Sequence, residues 1–134
     1  MRLNREDVER LLRQGHALAL NGRDLRDADL SGLNLSGADF SYAQLERVRF
    51  CGANLQHAYL WSALAQSADF SDADLCGSNL GTADLTNARF TNASLKAASL
   101  IGANLTGADL EGADLRGANF TGATRHSTPW TPLS

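Results

Sequence analysis

The stretch from Gly102 to Phe120 reads GANLTGADLEGADLRGANF and repeats one five-residue unit without a gap. The unit is Ala, then Asp or Asn, then Leu or Phe, followed by two small or polar residues. We call the Leu or Phe the centre of the unit; it falls at every residue number divisible by five. Twenty such positions lie between residues 25 and 120, and nineteen of them are Leu or Phe. An internal repeat this regular outranks every other signal in the chain.

A second apolar position lies two residues before each centre. Sixteen of these twenty residues are Ala, and the departures are Arg23, Leu33, Val48 and Ser78. A period of five does not keep one face of an α-helix, which advances about 100° per residue. It does not suit a long strand either, because an odd period alternates between faces. A short strand followed by a corner does fit, so we predict a solenoid with a dry Leu, Phe and Ala interior.

The residues at the corners support this interpretation. The second residue after the centre is Gly at ten positions and Asn at two, Asn87 and Asn92. Both residue types accept the positive φ that the third residue of a type II turn requires. Corners that lack them are predicted to turn differently, among them Tyr42, Arg47, His57, Ser62 and Thr82.

The number of sides per coil follows from a pattern at a spacing of twenty residues. The residues just before the centres then alternate in charge: Asp29, Arg49, Asp69, Arg89 and Asp109. The centres beside three of them are aromatic: Phe50, Phe70 and Phe90. Four sides per coil would stack these residues about 4.8 Å apart, with opposite charges outside and aromatic rings inside. A three-sided coil gives no comparable pattern, so the sequence predicts four sides.

With these units the chain resembles the pentapeptide-repeat proteins, whose unit is Ala-(Asp/Asn)-Leu-X-X. The resemblance covers roughly residues 18 to 122, and twenty consecutive units keep one phase. It implies the fold of that family, an all-β solenoid that is a right-handed quadrilateral β-helix. About five coils would make a rod roughly 24 Å long at the usual strand spacing.

Residues 1–17 lie outside the repeat and are predicted to form an N-terminal capping α-helix. Asn4 can cap this helix with Asp7 at its third position, and Leu3 and Val8 have the spacing of a hydrophobic staple. A cap would cover the unpaired strand edge at the end of a β-helix, which otherwise invites aggregation. The alternative is a helix that binds a partner.

Residues 18–122 are assigned to the β-helix and residues 123–134 to a C-terminal cap or tail. Pro129 and Pro132 prevent regular strand pairing there. Trp130 and Leu133 are predicted to fold over the open end, and the alternative is a disordered tail. A third interpretation is a homodimer joined end to end at this terminus, which the resemblance to gyrase-interacting family members suggests.

The repeat is irregular between Trp61 and Ala65, where the large residue sits one place early. Either Ala65 faces the core and leaves a gap beside Leu45 and Leu85, or the strand bulges and Leu64 turns inward. Tyr42, Tyr59 and Trp61 are predicted to face outward on one side in neighbouring coils. Together with Leu64 they form a candidate patch for a protein partner. The alternative is that these aromatic residues merely cover a defective coil.

The sequence predicts no catalytic, cofactor or metal site. The Asp residues are explained as outward strand residues that bond to neighbouring backbone, and no phosphate-binding or metal-ligand motif occurs. Cys51 and Cys76 fall on adjacent sides of different coils, so reduced thiols are expected. Without a long apolar run or a signal peptide, the protein is predicted to be cytoplasmic, with no membrane contact.

Two functions remain, both without enzymatic activity. The first is a protein–protein interaction module or scaffold with an unidentified protein partner. The alternative, drawn from the family resemblance, is a DNA mimic that inhibits or protects a type II topoisomerase such as DNA gyrase. Residues 21–122 contain twelve acidic and seven basic side chains, a net charge of −5. This charge is low for a DNA mimic and unfavourable for direct nucleic-acid binding, so the interaction module is favoured.

Overall fold

The computed structural model describes residues 1–15 and 17–125, and its repeat region is a four-sided β-helix. The residue before each centre pairs in parallel with the residue twenty positions later, so one coil takes twenty residues. The pairing runs from Ala19 to Thr124, which gives about five coils. Each strand is reduced to a single bridging residue between two corners.

The four sides are identified by their outward bridging residues. Side 1 carries Asp24, Gln44, Leu64, Asp84, Asn104 and Thr124. Side 2 carries Asp29, Arg49, Asp69, Arg89 and Asp109. Side 3 carries Asn34, Asn54, Asp74, Ser94 and Asp114. Side 4 carries Ala19, Asp39, Tyr59, Asn79, Ser99 and Asn119. The predicted column of alternating charge on side 2 is therefore confirmed in its register.

All corners turn in the same way, so the prediction that corners without Gly or Asn differ is wrong. Tyr42 has φ 61° and Gly52 has φ 67°. At both corners the N–H of the next inward Ala donates to the carbonyl of the preceding centre, over 3.0 Å. The predicted exceptions have φ between 53° and 61°: Tyr42, Arg47, His57, Ser62 and Thr82.

The ladder between coils explains why these residues accept a positive φ. The N–H of Tyr42 donates to the carbonyl of Trp61 over 2.9 Å, and the N–H of Ser62 donates to that of Gly81 over 2.9 Å. A different turn would aim these N–H groups away from the next coil and leave ladder partners unmatched. The left-handed conformation costs of order 1 kcal/mol at a non-glycine residue, and the repeated hydrogen bonds offset that cost.

The core is one continuous column of Leu, Phe and Ala side chains. From Leu20 to Leu105 every centre is fully or almost fully buried. The ring centroids of Phe50 and Phe70 are 5.0 Å apart, and those of Phe70 and Phe90 are 4.9 Å apart, with nearly parallel planes. This confirms the predicted aromatic stack behind side 2. Of the irregular inward positions, Val48 and Ser78 are buried, Leu33 is half-buried and Arg23 is exposed.

The irregular unit keeps the same backbone register as the others. Ala65 is fully buried, whereas 41% of Leu64 is exposed. The N–H of Leu64 donates to the carbonyl of Ala43, and the N–H of Ala65 donates to that of Asp84, both over 2.9 Å. The ladder passes through the unit without a bulge. Of the two alternatives for this unit, the structure therefore has Ala65 in the core.

The outward Asp and Asn side chains stabilise the corners. The Oδ1 atom of Asp39 accepts a hydrogen bond from the N–H of Ser41 over 2.9 Å, and Asn79 does the same for Gly81. Thirteen outward Asp or Asn residues bind the N–H two residues later in this way. The acidic composition thus has a structural cause, as the sequence indicated.

Helix α1, Arg5–Arg13, closes the N-terminal end of the β-helix. Asn4 and Asp7 form a capping box, and Leu3 and Val8 are buried against the first coil. The Arg5 Nη1 atom donates to the carbonyls of Asp29 and Ser31 over 3.0 and 2.9 Å. In later coils the equivalent carbonyls accept ladder N–H groups, so the Arg5 guanidinium replaces the missing preceding coil.

The opposite end is less enclosed. Leu110 is buried, whereas Leu115 and Phe120 are only half-buried and lie against the core. The predictions for Trp130 and Leu133, and with them the end-to-end homodimer, depend on residues outside those that the structure describes.

Candidate interaction surface

Five of the six strongly exposed large apolar side chains in the described part of the chain gather at the corner between sides 4 and 1. We call this group the aromatic edge: Tyr42, Tyr59, Trp61, Leu64 and Ile101. Their exposed fractions are 62%, 52%, 38%, 41% and 42%. Among the described residues, Met1 is the other strongly exposed large apolar side chain. Exposed apolar surface is therefore concentrated at one place on the rod.

The structure brings the four sequence-predicted residues together around this corner. Tyr59 faces outward from side 4, and Leu64 faces outward from side 1. Trp61 and Tyr42 occupy the corner itself in adjacent coils, where the Tyr42 N–H donates to the Trp61 carbonyl. The three aromatic residues thus surround a corner instead of lining one flat side. Ile101, two coils beyond Trp61 in the same corner column, completes the aromatic edge.

The indole of Trp61 is held against the backbone of the next coil. A Cβ atom built on Gly81 would lie 2.6 Å from Trp61 Cε3, closer than real contacts allow. Gly81 is buried although it sits at a corner. Its N–H donates to Asn79 Oδ1 over 2.9 Å, which fixes the surface on which the ring rests. Because Gly81 has no side chain, the indole of Trp61 can lie against its backbone.

Sequence reasoning missed both Gly81 and Ile101. Gly81 did carry a signal, because it is the one glycine at the first position after a centre. The other glycines of the repeat occupy the second corner position, where a positive φ is required. Ile101 is an apolar residue at the same first corner position as Trp61, a position that is polar or small in most units.

The surface around the aromatic edge carries little charge. Sides 4 and 1 and their shared corner carry Arg23 and Asp24 near the N-terminal end and Arg125 near the C-terminal end. Between these ends, the charged residues of this surface are Asp39 and Asp84. Asp39 neighbours Tyr59 on side 4, and Asp84 neighbours Leu64 on side 1. The hydroxyls of Ser62 and Thr82 hydrogen-bond along the corner over 2.5 Å. The edge is apolar, with two carboxylates beside it.

The rest of the rod is strongly charged. We call sides 2 and 3, with the corners that flank them, the charged half. It holds fifteen of the nineteen charged side chains between residues 21 and 122. Opposite charges are paired there: Arg47 Nε lies 2.6 Å from Asp27 Oδ1, and Arg89 Nη1 lies 3.8 Å from Asp69 Oδ2.

Several carboxyl groups consequently titrate below their ordinary range. The hydrogen bond from the Arg47 side chain lowers the pKa of Asp27. The side-chain hydrogen bond from Arg116, with its backbone N–H, lowers the pKa of Asp114 to about 2. Part of the charge of this half is thus neutralised by ion pairs among its own side chains.

A comparison with known protein families confirms the five-residue repeat found in the sequence. The family model described as pentapeptide repeats matches eight copies, at residues 19–50, 43–81 and 83–122.

The chain belongs to the pentapeptide-repeat family.

Solved structures of this family resemble the chain along most of its length. A pentapeptide repeat protein from the thylakoid lumen of Arabidopsis thaliana is 39% identical, with a TM-score of 0.73; the match covers 75% of this chain and 70% of that one. The pentapeptide repeat protein Rfr23 of the cyanobacterium Cyanothece 51142 has a TM-score of 0.77 at 24% identity, covering 85% and 88% of the two chains. A search of the curated proteins found no match.

Solved pentapeptide-repeat proteins form right-handed quadrilateral β-helices. The predicted fold is therefore confirmed in its handedness as well as in its four sides. A weaker match is QnrB1, a plasmid-mediated fluoroquinolone resistance protein, with a TM-score of 0.44 and 22% identity over 80% of this chain and 72% of that one. Similarity of this degree carries no information about the function of this chain.

Pentapeptide-repeat proteins generally serve as structural or interaction modules without enzymatic activity. Over residues 1–15 and 17–125 the surface has no pocket, and no group of His, Cys, Asp or Glu is placed to hold a metal ion. Cys51 and Cys76 are unpaired thiols. No helix in the described part of the chain is long and apolar enough to cross a membrane.

Proposed function

We propose that this pentapeptide-repeat protein is a non-enzymatic interaction module that binds a protein partner through the aromatic edge. The observation that carries the proposal is the concentration of exposed apolar side chains at one corner of an otherwise polar rod. Contiguous exposed apolar surface on a soluble protein commonly marks an interaction site. Trp and Tyr in particular are enriched where protein surfaces meet.

The local geometry supports binding in preference to simple covering of a defective coil. Ala65 is fully buried and the ladder is continuous through its unit, so the backbone there has no defect that needs a cover. The indole of Trp61 lies against Gly81, and this contact restricts the orientation of the ring before a partner binds. A preorganised aromatic side chain loses less conformational entropy on binding than a mobile one.

The charge distribution argues against DNA mimicry. A duplex the length of this rod, roughly 24 Å, would present about fourteen negative charges. The coil region has a net charge of only −5, and its charged half contains paired Arg and Asp side chains. The sides that meet at the aromatic edge are almost uncharged. A rod of this kind does not reproduce the continuous negative potential of DNA.

The proposal is tested by affinity capture from a lysate of the native host. The wild type is compared with a Tyr59→Ser/Trp61→Ser variant, both shown to be folded by circular dichroism. The matched control is Arg89→Ser/Thr91→Ser, which changes the same two positions of the unit on side 2. We expect a protein that is captured by the wild type and the control but lost with the Tyr59→Ser/Trp61→Ser variant. Capture of the same proteins by all three would contradict the proposal.

A further inference from the structure

We propose that the partner presents an Arg or Lys side chain among apolar residues, and that this cation binds between the aromatic edge and its two flanking carboxylates. The inference rests on the proposed function and adds the chemistry of the partner. The proposal is based on the juxtaposition of the exposed aromatic residues with these two carboxylates.

The two carboxylates lie beside opposite parts of the aromatic edge. Asp39 pairs in parallel with Tyr59 on side 4, one coil toward the N-terminus. Asp84 pairs in parallel with Leu64 on side 1, one coil toward the C-terminus. Bridging residues of adjacent coils are spaced by about 4.8 Å. A side chain that enters over Trp61 therefore has an acid within reach on either side of the corner.

No Arg or Lys side chain neutralises either of these two carboxylates within the described residues. Asp39 Oδ1 accepts the N–H of Ser41, and Asp84 accepts hydrogen bonds from Gln66 and Thr86. Within the described residues neither has an ion-pair partner, whereas Asp24, Asp27, Asp69 and Asp114 each lie within 4 Å of an Arg. Their negative charge is consequently available to a partner.

Aromatic rings complement the carboxylates in recognising a cation. Ammonium and guanidinium groups are attracted to the faces of Trp and Tyr within about 6 Å, and Arg also stacks on such rings. The apolar stem of Arg or Lys can pack on Leu64 and Ile101 while its charged end remains near Asp39 or Asp84. The edge thus suits a basic side chain with apolar neighbours.

The same charges disfavour the other classes of partner. A second copy of this chain at the same edge would bring Asp39 and Asp84 against like charges. A nucleic acid or an anionic membrane surface would meet the same repulsion. An acidic or neutral apolar peptide would leave both carboxylates unpaired.

The inference is tested by selecting peptides from a random 12-residue library on the immobilised full-length wild type. Selected peptides are measured against Asp39→Asn/Asp84→Asn, which removes both charges but keeps an acceptor for the corner N–H. Asn already occupies this position at Asn54 and Asn79, so the fold is preserved. The matched control, Asp72→Asn/Glu111→Gln, removes two exposed charges from the charged half.

We expect the selected peptides to contain Arg or Lys beside an aromatic or branched aliphatic residue. Their Kd should rise about tenfold with Asp39→Asn/Asp84→Asn, as for loss of a charge pair at an interface, and change little in the control. Binding should also disappear with Tyr59→Ser/Trp61→Ser. Charge reversal at Asp39 and Asp84 to Lys should weaken binding further.

Peptides without basic residues, bound equally by the wild type and Asp39→Asn/Asp84→Asn, would overturn this inference while leaving the aromatic edge as a binding site. Peptides that still bind Tyr59→Ser/Trp61→Ser would contradict the proposed function itself. Equal loss of binding in the Asp39/Asp84 variant and the control would show that only the overall charge matters, which would also overturn the inference.

Discussion

The aromatic edge and the charged half share one backbone but differ in every outward residue. Tyr42 and Gly52 adopt the same turn, and Tyr59 and Arg49 occupy equivalent bridging positions on different sides. Behind the charged half the core contains the Phe50, Phe70 and Phe90 stack, whereas behind the aromatic edge Phe40 lies among Leu and Ala side chains. The pentapeptide unit therefore separates two tasks. Inward residues specify the coil, and outward residues specify the surface that the coil displays.

The largest expected effect is on the free energy of unfolding, which should depend far more on inward residues than on outward ones. Phe70→Ala should lower the free energy of unfolding by about 3–5 kcal/mol, because it removes the middle ring of a buried stack. Tyr59→Ser, about half exposed on the aromatic edge, should change it by much less. Urea unfolding followed by circular dichroism measures both. Similar losses in the two variants would show that the surface residues also hold the coil together.

The contact between Trp61 and Gly81 provides a sharper test of this comparison, because it links a surface residue to the coil beneath it. Gly81→Ala places a Cβ against the indole and should cost about 1–3 kcal/mol unless the ring moves away. With Trp130 replaced by Phe, the fluorescence of Trp61 should shift toward that of a water-exposed indole. In a Trp61→Ala background the same Gly81→Ala change should cost far less, and a double-mutant cycle measures this coupling.

An additive cycle would mean that Trp61 is not held by Gly81 and that the aromatic edge is no more ordered than the charged half. Ile101→Ala is the control, because it occupies the same corner column beyond Gly81. It should leave the Trp61 emission unchanged.

Most of the fold could be predicted because each inward residue is repeated at the same place in successive coils. A single Leu or Ala says little, but Phe50, Phe70 and Phe90 at a spacing of twenty predicted both the side count and the stack. The helix at Arg5–Arg13 also followed from local signals, Asn4 and Asp7. The two carbonyls bound by Arg5 could not be foreseen, because they depend on how the helix lies on the first coil.

The errors and omissions arise where the ladder between coils overrides local preference. Tyr42 and Thr82 disfavour a positive φ, yet the hydrogen bonds to the next coil impose it. The choice between Leu64 and Ala65 was likewise decided by the ladder, since a bulge would have broken its register. For the candidate site, the sequence predicted which aromatic residues face outward but not that Trp61 rests on Gly81. That contact depends on the direction in which one side chain leans.

Ion pairs of the charged half should contribute far less than the core. Arg47→Gln removes a 2.6 Å contact with Asp27, but both side chains are about half exposed, so we expect a loss of at most about 1 kcal/mol. The loss should shrink in 1 M salt, which screens exposed charges. Arg49 lies between Asp29 and Asp69 in the ladder of side 2 but forms no ion pair within the described residues, so Arg49→Gln should cost still less. Equal and salt-independent losses would indicate that packing of the Arg stems matters more than charge.

The smallest effect is expected in the acid response of a single carboxyl. The hydrogen bond from the Arg116 side chain lowers the pKa of Asp114 to about 2, below its ordinary value of 3.8. Because the folded pKa is the lower one, this group stabilises the fold above about pH 4 and loses that contribution as the pH falls toward 2. Asp114→Asn keeps an acceptor for the N–H of Arg116 but cannot titrate. Between pH 4 and pH 2 its melting temperature should therefore fall slightly less than that of the wild type. An acid response of Asp114→Asn identical to that of the wild type would remove Asp114 from the charges that stabilise this half of the rod.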